Sequence, residues 1–332
     1  MPLNFRQLID KHPELLKDRF QLAFSQDAAP EAAADKLGAS GVIMLRNALP
    51  VEMLSECQTT FSHFVRTLGK SAGSQSEDGD NEPAVDDGPS PEWDNGEESS
   101  GSWHKPWAVR HAGHSPTANV LTALIRSWAW PVIEQICHSK DIVVMFGLCL
   151  ARHRIDEDLL VGVHQDARVV NPDIPLSLWI PLSEVAPRRH SGLGFVVPNP
   201  NELLALDDAG SSYVLDNLDR VWVPHYRAGD LTIHSKFSPH FTTGYGTHSH
   251  RYSLEIRLWA YEDSLTQYYD PSIRVARRNG IPVVLGTKCS LGIGAHEFVV
   301  NTAQLAMRAA LPPAKQQPPP SGFMSTLRSL VR

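Results

Sequence analysis

Leu159-Leu160-Val161-Gly162-Val163-His164-Gln165-Asp166 is the stretch on which the fold reading turns. An apolar run ends in an imidazole and a carboxylate two positions apart. On a strand, residues i and i+2 point to one face, so His164 and Asp166 are expected side by side. A second imidazole, His240, lies near a later strand-like run. Two imidazoles and one carboxylate cover one face of an octahedral metal and leave positions open, which is the ligand set of a non-haem Fe(II) oxygenase.

Outward from this motif the texture is that of short strands. Apolar runs occur at 142–151, 159–163, 176–182, 193–198, 220–224, 230–234 and 252–260, separated by Pro, Gly, Asn and Asp. Such spacing predicts an all-β sandwich or barrel. The N-terminal part reads differently. Residues 1–24 look helical, with a break at Pro13. Further helices are expected over 31–37, about 51–67 and 116–137, with a short buried strand at Val42-Ile43-Met44-Leu45. The predicted fold is therefore mainly β with flanking helices, a jelly-roll barrel whose core spans about 142–260. Residues 263–311 carry no clear pattern.

Composition bounds the function. The chain has 332 residues, 42% hydrophobic and 20% charged, enough for a sizeable core. Its net charge is −7, and ten of the acids lie in 77–98 without a single base. Without them the balance would be +3, so no nucleic-acid footprint is visible. Residues 70–102, rich in Ser, Gly, Asp, Glu and Pro, read as an acidic disordered insertion. It divides the domain into an N-terminal part, 1–69, and a remainder, 103–311. A Pro-rich tail with a short basic helix occupies 312–332. The four cysteines form no CxxC pair and read as reduced, buried thiols. The first residues lack a signal-peptide pattern, and no apolar run is long enough to span a bilayer. A cytoplasmic protein is expected.

Downstream, Gly229-Asp230 opens a turn and strand, His240-Phe241-Thr242 follows, and Arg251 begins the run Arg251-Tyr252-Ser253-Leu254-Glu255-Ile256-Arg257. A 2-oxo acid that chelates iron through one end needs a cation to hold its far carboxylate, and a guanidinium does this with two charge-assisted bonds. Arg251 is the preferred anchor, with Ser253 on the same strand face. Arg257 competes: it faces the same side, about 20 Å further along the strand. His234, His248 and His250 compete with His240 as third ligand, and its separation from Arg251 favours His240. The His- and Trp-rich stretch Trp103, His104, Trp107, His111 and His114 reads as surface or lid.

In these segments the chain resembles the phytanoyl-CoA dioxygenase family of Fe(II)- and 2-oxoglutarate-dependent oxygenases. The likeness spans about 37–260, apart from the insertion. It is carried by Leu37–Pro50, by His164-Gln165-Asp166, by Leu178-Trp179-Ile180-Pro181-Leu182, by Ser191–Pro198, and by Gly229-Asp230, His240-Phe241-Thr242 and Arg251 in the family's order. The resemblance implies a double-stranded β-helix of the cupin-like kind. It implies Fe(II) held by His164, Asp166 and His240, with 2-oxoglutarate and O2 as co-substrates. Arg251 would hold the distal carboxylate, and Thr242 and Trp179 would line the co-substrate pocket. The expected reaction is hydroxylation of a small-molecule metabolite with release of succinate and CO2. Desaturation, epimerisation or cyclisation on the same core, protein hydroxylation and a non-catalytic ligand-binding barrel are the alternatives. Because Asp166 is present, halogenation is disfavoured. The chain departs from the family at Arg152-His153-Arg154 and at Arg188-Arg189-His190. Arg152, Arg154, Arg168 and Lys236 could give the mouth a positive field suited to an anionic substrate.

Overall fold

The computed structural model describes residues 5–59, 102–104, 116–154, 162–169, 175–206, 211–243, 251–261, 272–278 and 281–286. The acidic segment up to residue 101 and the Pro-rich tail lie outside them. Five helices brace the N-terminal side: α1 (Phe5–Lys11), α2 (Pro30–Ser40), α3 (51–59), α4 (Pro116–Arg126) and α5 (Ala129–Ile136). Strands β1 (Ala23–Phe24) and β2 (Val42–Leu45) run among them. Next come β3 (Ser102–His104), β4 (Asp141–Arg154), the single turn α6 (Asp166–Val169), β5 (Leu176–Pro181) and β6 (Leu193–Val196). The short helix α7 (Ser211–Leu215) precedes β7 (Val221–Trp222), β8 (Leu231–Ser235), β9 (His240–Thr242), β10 (Arg251–Ala260), β11 (Ser272–Arg278) and β12 (Ile281–Gly286).

Among the described residues the strands form two sheets. The larger has the order β1-β2-β8-β5-β10-β4-β11-β12, with β3 added on β4, and the smaller is β7-β6-β9. Strand alternation decides what each face of the large sheet does. Ile43 and Leu45, Leu231 and Ile233, Leu178 and Ile180, and Leu254, Ile256 and Leu258 point outward. They pack on Leu37 of α2, Leu121 and Leu124 of α4 and Trp130 and Ile133 of α5. Each such side chain contributes about 1.5–3 kcal/mol relative to exposure. The opposite face looks into the barrel. There Val42, Met44 and Trp179 meet Leu193, Phe195, Trp222 and Tyr226 from the smaller sheet and its loops. The inward positions of β5, β8 and β10 also include Ser177, Thr232, His234, Ser253 and Arg257, all buried. Polar groups at inward core positions mark where the barrel gives up packing for chemistry.

Two tight features align the strands. Gly41 ends α2 in a left-handed conformation (φ +80), and its carbonyl accepts from the amide of Ser235 at 2.9 Å and from the Ser238 hydroxyl. A Cβ at Gly41 would lie 2.1 Å from the Cβ of Asn199. Asp230, fully buried, accepts from the Arg46 guanidinium and from the amides of Asn47 and Arg227, each at 2.8 Å. It thereby locks the end of β2 to the start of β8.

Several sequence expectations are corrected. Residues 23–24, read as the end of a helix, form a two-residue parallel strand on β2. The helix expected over 116–137 is two helices, broken where the Ser127 hydroxyl bonds back to Leu124 O and receives the Ala129 amide. Two strands, β11 and β12, occupy part of the region that carried no pattern.

Candidate metal centre

The smaller sheet brings the two imidazoles together. The amide of His164 donates to His240 O and the amide of His240 to His164 O, both at 3.0 Å, so the two residues form an antiparallel bridge. Their rings lie 4.2 Å apart, centroid to centroid. Asp166 is not on the strand, as the i, i+2 argument supposed. It is the first residue of α6, and the turn carries its carboxylate back over the rings. Gln165, between them, faces away and is completely buried. Its amide donates to Glu202 O and Phe237 O and accepts from the Leu204 amide, at 2.6–2.8 Å. The middle residue of the motif thus bolts the turn to two loops.

The ligand atoms of His164, Asp166 and His240 all lie within 4.8 Å of one another. Oδ1 of Asp166 is 3.9 Å from Nε2 of His164 and 3.8 Å from Nε2 of His240. The orientation of each ring is set by a main-chain acceptor. His164 Nδ1 donates to Gly162 O at 2.9 Å and His240 Nδ1 to Ser238 O at 3.0 Å. A carbonyl can only accept, so the proton sits on Nδ1 and the Nε2 lone pair is free. Burial pushes both imidazoles down to about 4, and each feels a neighbouring imidazole as well. They are neutral near pH 7, as ligands must be. Burial alone would raise the Asp166 carboxyl, yet the Arg257 guanidinium and the imidazoles of His234 and His240 outweigh it. The carboxylate is held well below its usual range. Two neutral imidazoles and one carboxylate on one side of a point in space fit a divalent first-row metal with open positions, and this set suits Fe(II).

The remaining expected residues fall as follows. Trp179 points inward, edge-on to Tyr226 with centroids 4.7 Å apart. Thr242 is buried at the end of β9, and Ser253 is buried on the inward face of β10. Arg251 opens β10, paired with Arg154 of β4; the side chains of Arg251, Arg152 and Arg154 lie outside the described residues. Arg168 is exposed and donates to Leu204 O at 2.6 Å, while Lys236 sits over the Phe237 ring at 5.1 Å. His248 and His250 are not among the described residues. Cys57 and Cys137 are free thiols pushed up to about 12 by burial, which suits inert core cysteines.

The two competitors, His234 and Arg257, are both at the centre. His234 Nε2 and Arg257 Nη2 each lie 3.5 Å from Asp166 Oδ2, and Ser177 donates its hydroxyl to the same oxygen. Arg257 also pairs with Glu255. The role of Ser177 has no sequence signal of its own. It emerges only from the register of three strands.

No family model matches the chain, and no curated protein matches it in sequence. Solved structures match it in fold. The non-heme alpha ketoglutarate dependent carbocyclase SnoK from nogalamycin biosynthesis aligns over 72% of this chain and 87% of its own, at 13% identity and a TM-score of 0.50. EvdMO1 aligns over 70% of this chain and 51% of its own, at 14% identity and a TM-score of 0.50. The fold is a double-stranded β-helix. The non-heme alpha ketoglutarate dependent epimerase SnoN overlays less closely, with a TM-score of 0.49 at 14% identity. Strand order agrees with that assignment: the large sheet faces a smaller one, and the ligand bridge of His164 and His240 extends the smaller sheet at β9.

Proposed function

We propose that this chain is an Fe(II)- and 2-oxoglutarate-dependent dioxygenase of the phytanoyl-CoA dioxygenase type, hydroxylating a small-molecule metabolite and releasing succinate and CO2. The observation that carries the reading is the ligand trio: two imidazoles whose Nδ1 protons are committed to carbonyls, and one ionised carboxylate, all converging within 4.8 Å. Iron bound there with 2-oxoglutarate would supply the activation of O2. The chain's own residues do the rest. His164, Asp166 and His240 hold the metal on one side and leave the other side for co-substrates. Arg251 and Ser253, on one strand face, hold the distal carboxylate of 2-oxoglutarate. Thr242 and Trp179 line its pocket and keep water out. Arg152, Arg154, Arg168 and Lys236 favour an anionic substrate. No described helix is long and apolar enough to cross a membrane, and a cytoplasmic location fits a metabolite substrate.

A second reading keeps the same centre and ends in desaturation, epimerisation or cyclisation; likeness in fold to a carbocyclase keeps it in view. The product mass separates the two, because hydroxylation adds one oxygen and the others add none. The test of the site itself is optical. Anaerobic addition of Fe(II) and 2-oxoglutarate should give a weak visible charge-transfer band that is lost in Asp166→Ala. Absence of the band in folded, metal-loaded protein, or its survival in that variant, overturns the reading.

A further inference from the structure

The two oxygens of Asp166 have different surroundings. Oδ1 faces the Nε2 atoms of the two ligand imidazoles. Oδ2 is turned onto three side chains outside the ligand trio: Ser177, which donates its hydroxyl, and Arg257 Nη2 and His234 Nε2, each at 3.5 Å. These three are cross-strand neighbours. Ser177 of β5 is paired with His234 of β8 on one side and with Arg257 of β10 on the other. One rung of the large sheet therefore offers a donor from each of three strands to a single oxygen.

His234 makes a second, independent point. It is 1% exposed, and neither ring nitrogen has a hydrogen-bond partner in normal geometry among the described residues. Its ring rests between Phe195, 5.5 Å away, and His240, 4.6 Å away, centroid to centroid. A buried imidazole without bonds destabilises a fold, and leucine would fill much the same space without that penalty. Oδ2 of Asp166 lies 3.5 Å from its Nε2. Packing alone gives no reason for an imidazole here, but the geometry of a bound carboxylate does.

We infer that His234, together with Ser177 and Arg257, holds Asp166 to a single metal bond through Oδ1. The inference rests on the ligand trio proposed above. A carboxylate free to rotate can bind a metal through both oxygens and take up a coordination position. With Oδ2 gripped by the rung, Oδ1 alone reaches the metal and the adjoining position stays open for a co-substrate. Arg257 divides its charge between Asp166 and Glu255. Among the described residues, the Ser177 hydroxyl and His234 Nε2 face no carboxylate but that of Asp166. They are positioning residues: neither belongs to the ligand trio, and both act through the carboxylate.

The experiment is titration of metal-free protein with Co(II), read by affinity and by visible ligand-field absorption, on His234→Leu, His234→Gln, Ser177→Ala and Asp166→Ala. His234→Leu should weaken Co(II) binding about 10–100-fold and change the absorption envelope. Its metal-free melting temperature should stay close to that of the parent, because leucine fills much the same space. Gln restores a buried N–H donor, so His234→Gln should recover most of the affinity. Ser177→Ala should weaken binding in the same direction. Parental affinity and spectrum in His234→Leu, or in Ser177→Ala should His234→Leu fail to fold, overturn the inference while leaving the metal site intact. Parental Co(II) affinity in Asp166→Ala overturns the ligand trio itself, and the inference with it.

Discussion

Acid should weaken the metal-free protein through its two ligand imidazoles. His164 and His240 are pushed from an ordinary 6.5 to about 4, chiefly by burial. Between those values the unfolded chain takes up a proton on each that the folded chain refuses. Stability therefore rises with pH across this window. It is fully present above pH 6.5 and is lost as pH falls toward 4. At about 1.36 kcal/mol per unit, each imidazole accounts for about 3 kcal/mol over the full window. At pH 4.5 the pair together would have cost about 5 kcal/mol relative to pH 7, an upper figure because protonating one ring disfavours protonating the other. That is a large share of a typical folding free energy of about 5–15 kcal/mol. Asp166, held low, surrenders its contribution only below its ordinary 3.8, outside the window. The assay is urea denaturation of chelator-treated protein at pH 7, 6, 5 and 4.5, followed by tryptophan fluorescence. The chain has 15 histidines, so the comparison is with His240→Leu, which removes one of the two groups. The variant should lose about 2 kcal/mol less than the parent over this range. Superimposable pH profiles for parent and variant would refute the reasoning.

Four other outcomes follow from the structure. Asp230→Ala leaves two main-chain amides and a guanidinium without their acceptor, and should cost about 3–5 kcal/mol in urea denaturation while the folded fraction keeps its Co(II) affinity. Gly41→Ala meets both a positive φ and the Asn199 side chain, so the backbone alone should cost about 1–3 kcal/mol, read as a lower melting temperature. Arg251→Ala should raise the KM for 2-oxoglutarate about tenfold to a hundredfold and leave Co(II) binding without it unchanged. Arg257→Met should instead weaken Co(II) binding; a raised 2-oxoglutarate KM in Arg257→Met alone would move the anchor to that residue.

What could be read in advance depended on how local the signal was. Val42–Leu45, Leu176–Pro181 and Arg251–Ala260 stand out as apolar runs between turn residues, because each is buried on the helix-covered face by its own alternating side chains. The ligand trio was legible because its members carry reactive groups at a recognisable separation. The two-residue strand at Ala23–Phe24 is too short for any period and exists only because β2 lies beside it. Strand β11 alternates Ile273 and Val275 with basic residues whose partners are remote. Arg274 pairs with Asp141 and lies over the Tyr261 ring at 3.6 Å, and Arg277 pairs with Glu134. Those partners come from β4, α5 and the end of β10, so nothing nearby in the chain announces them. Ser177, His234 and Arg257 show the same limit most sharply. The sequence marks His234 and Arg257 only as a competing ligand and a competing anchor and does not mark Ser177, and only the register of β8, β5 and β10 turns them into one rung.

The paired main-chain bonds between His164 and His240 have a consequence for how the centre comes and goes. These residues are 76 positions apart, from 164 to 240, yet the chain itself closes that long loop. The entropy of bringing such distant points together is met by folding, before any ion arrives. A metal entering this seam finds its nitrogen ligands already gathered, unlike a zinc finger, which must fold around its ion. Loading and stripping are then reversible local events. The two bridging amides should remain slow to exchange with deuterium after a chelator has emptied the centre.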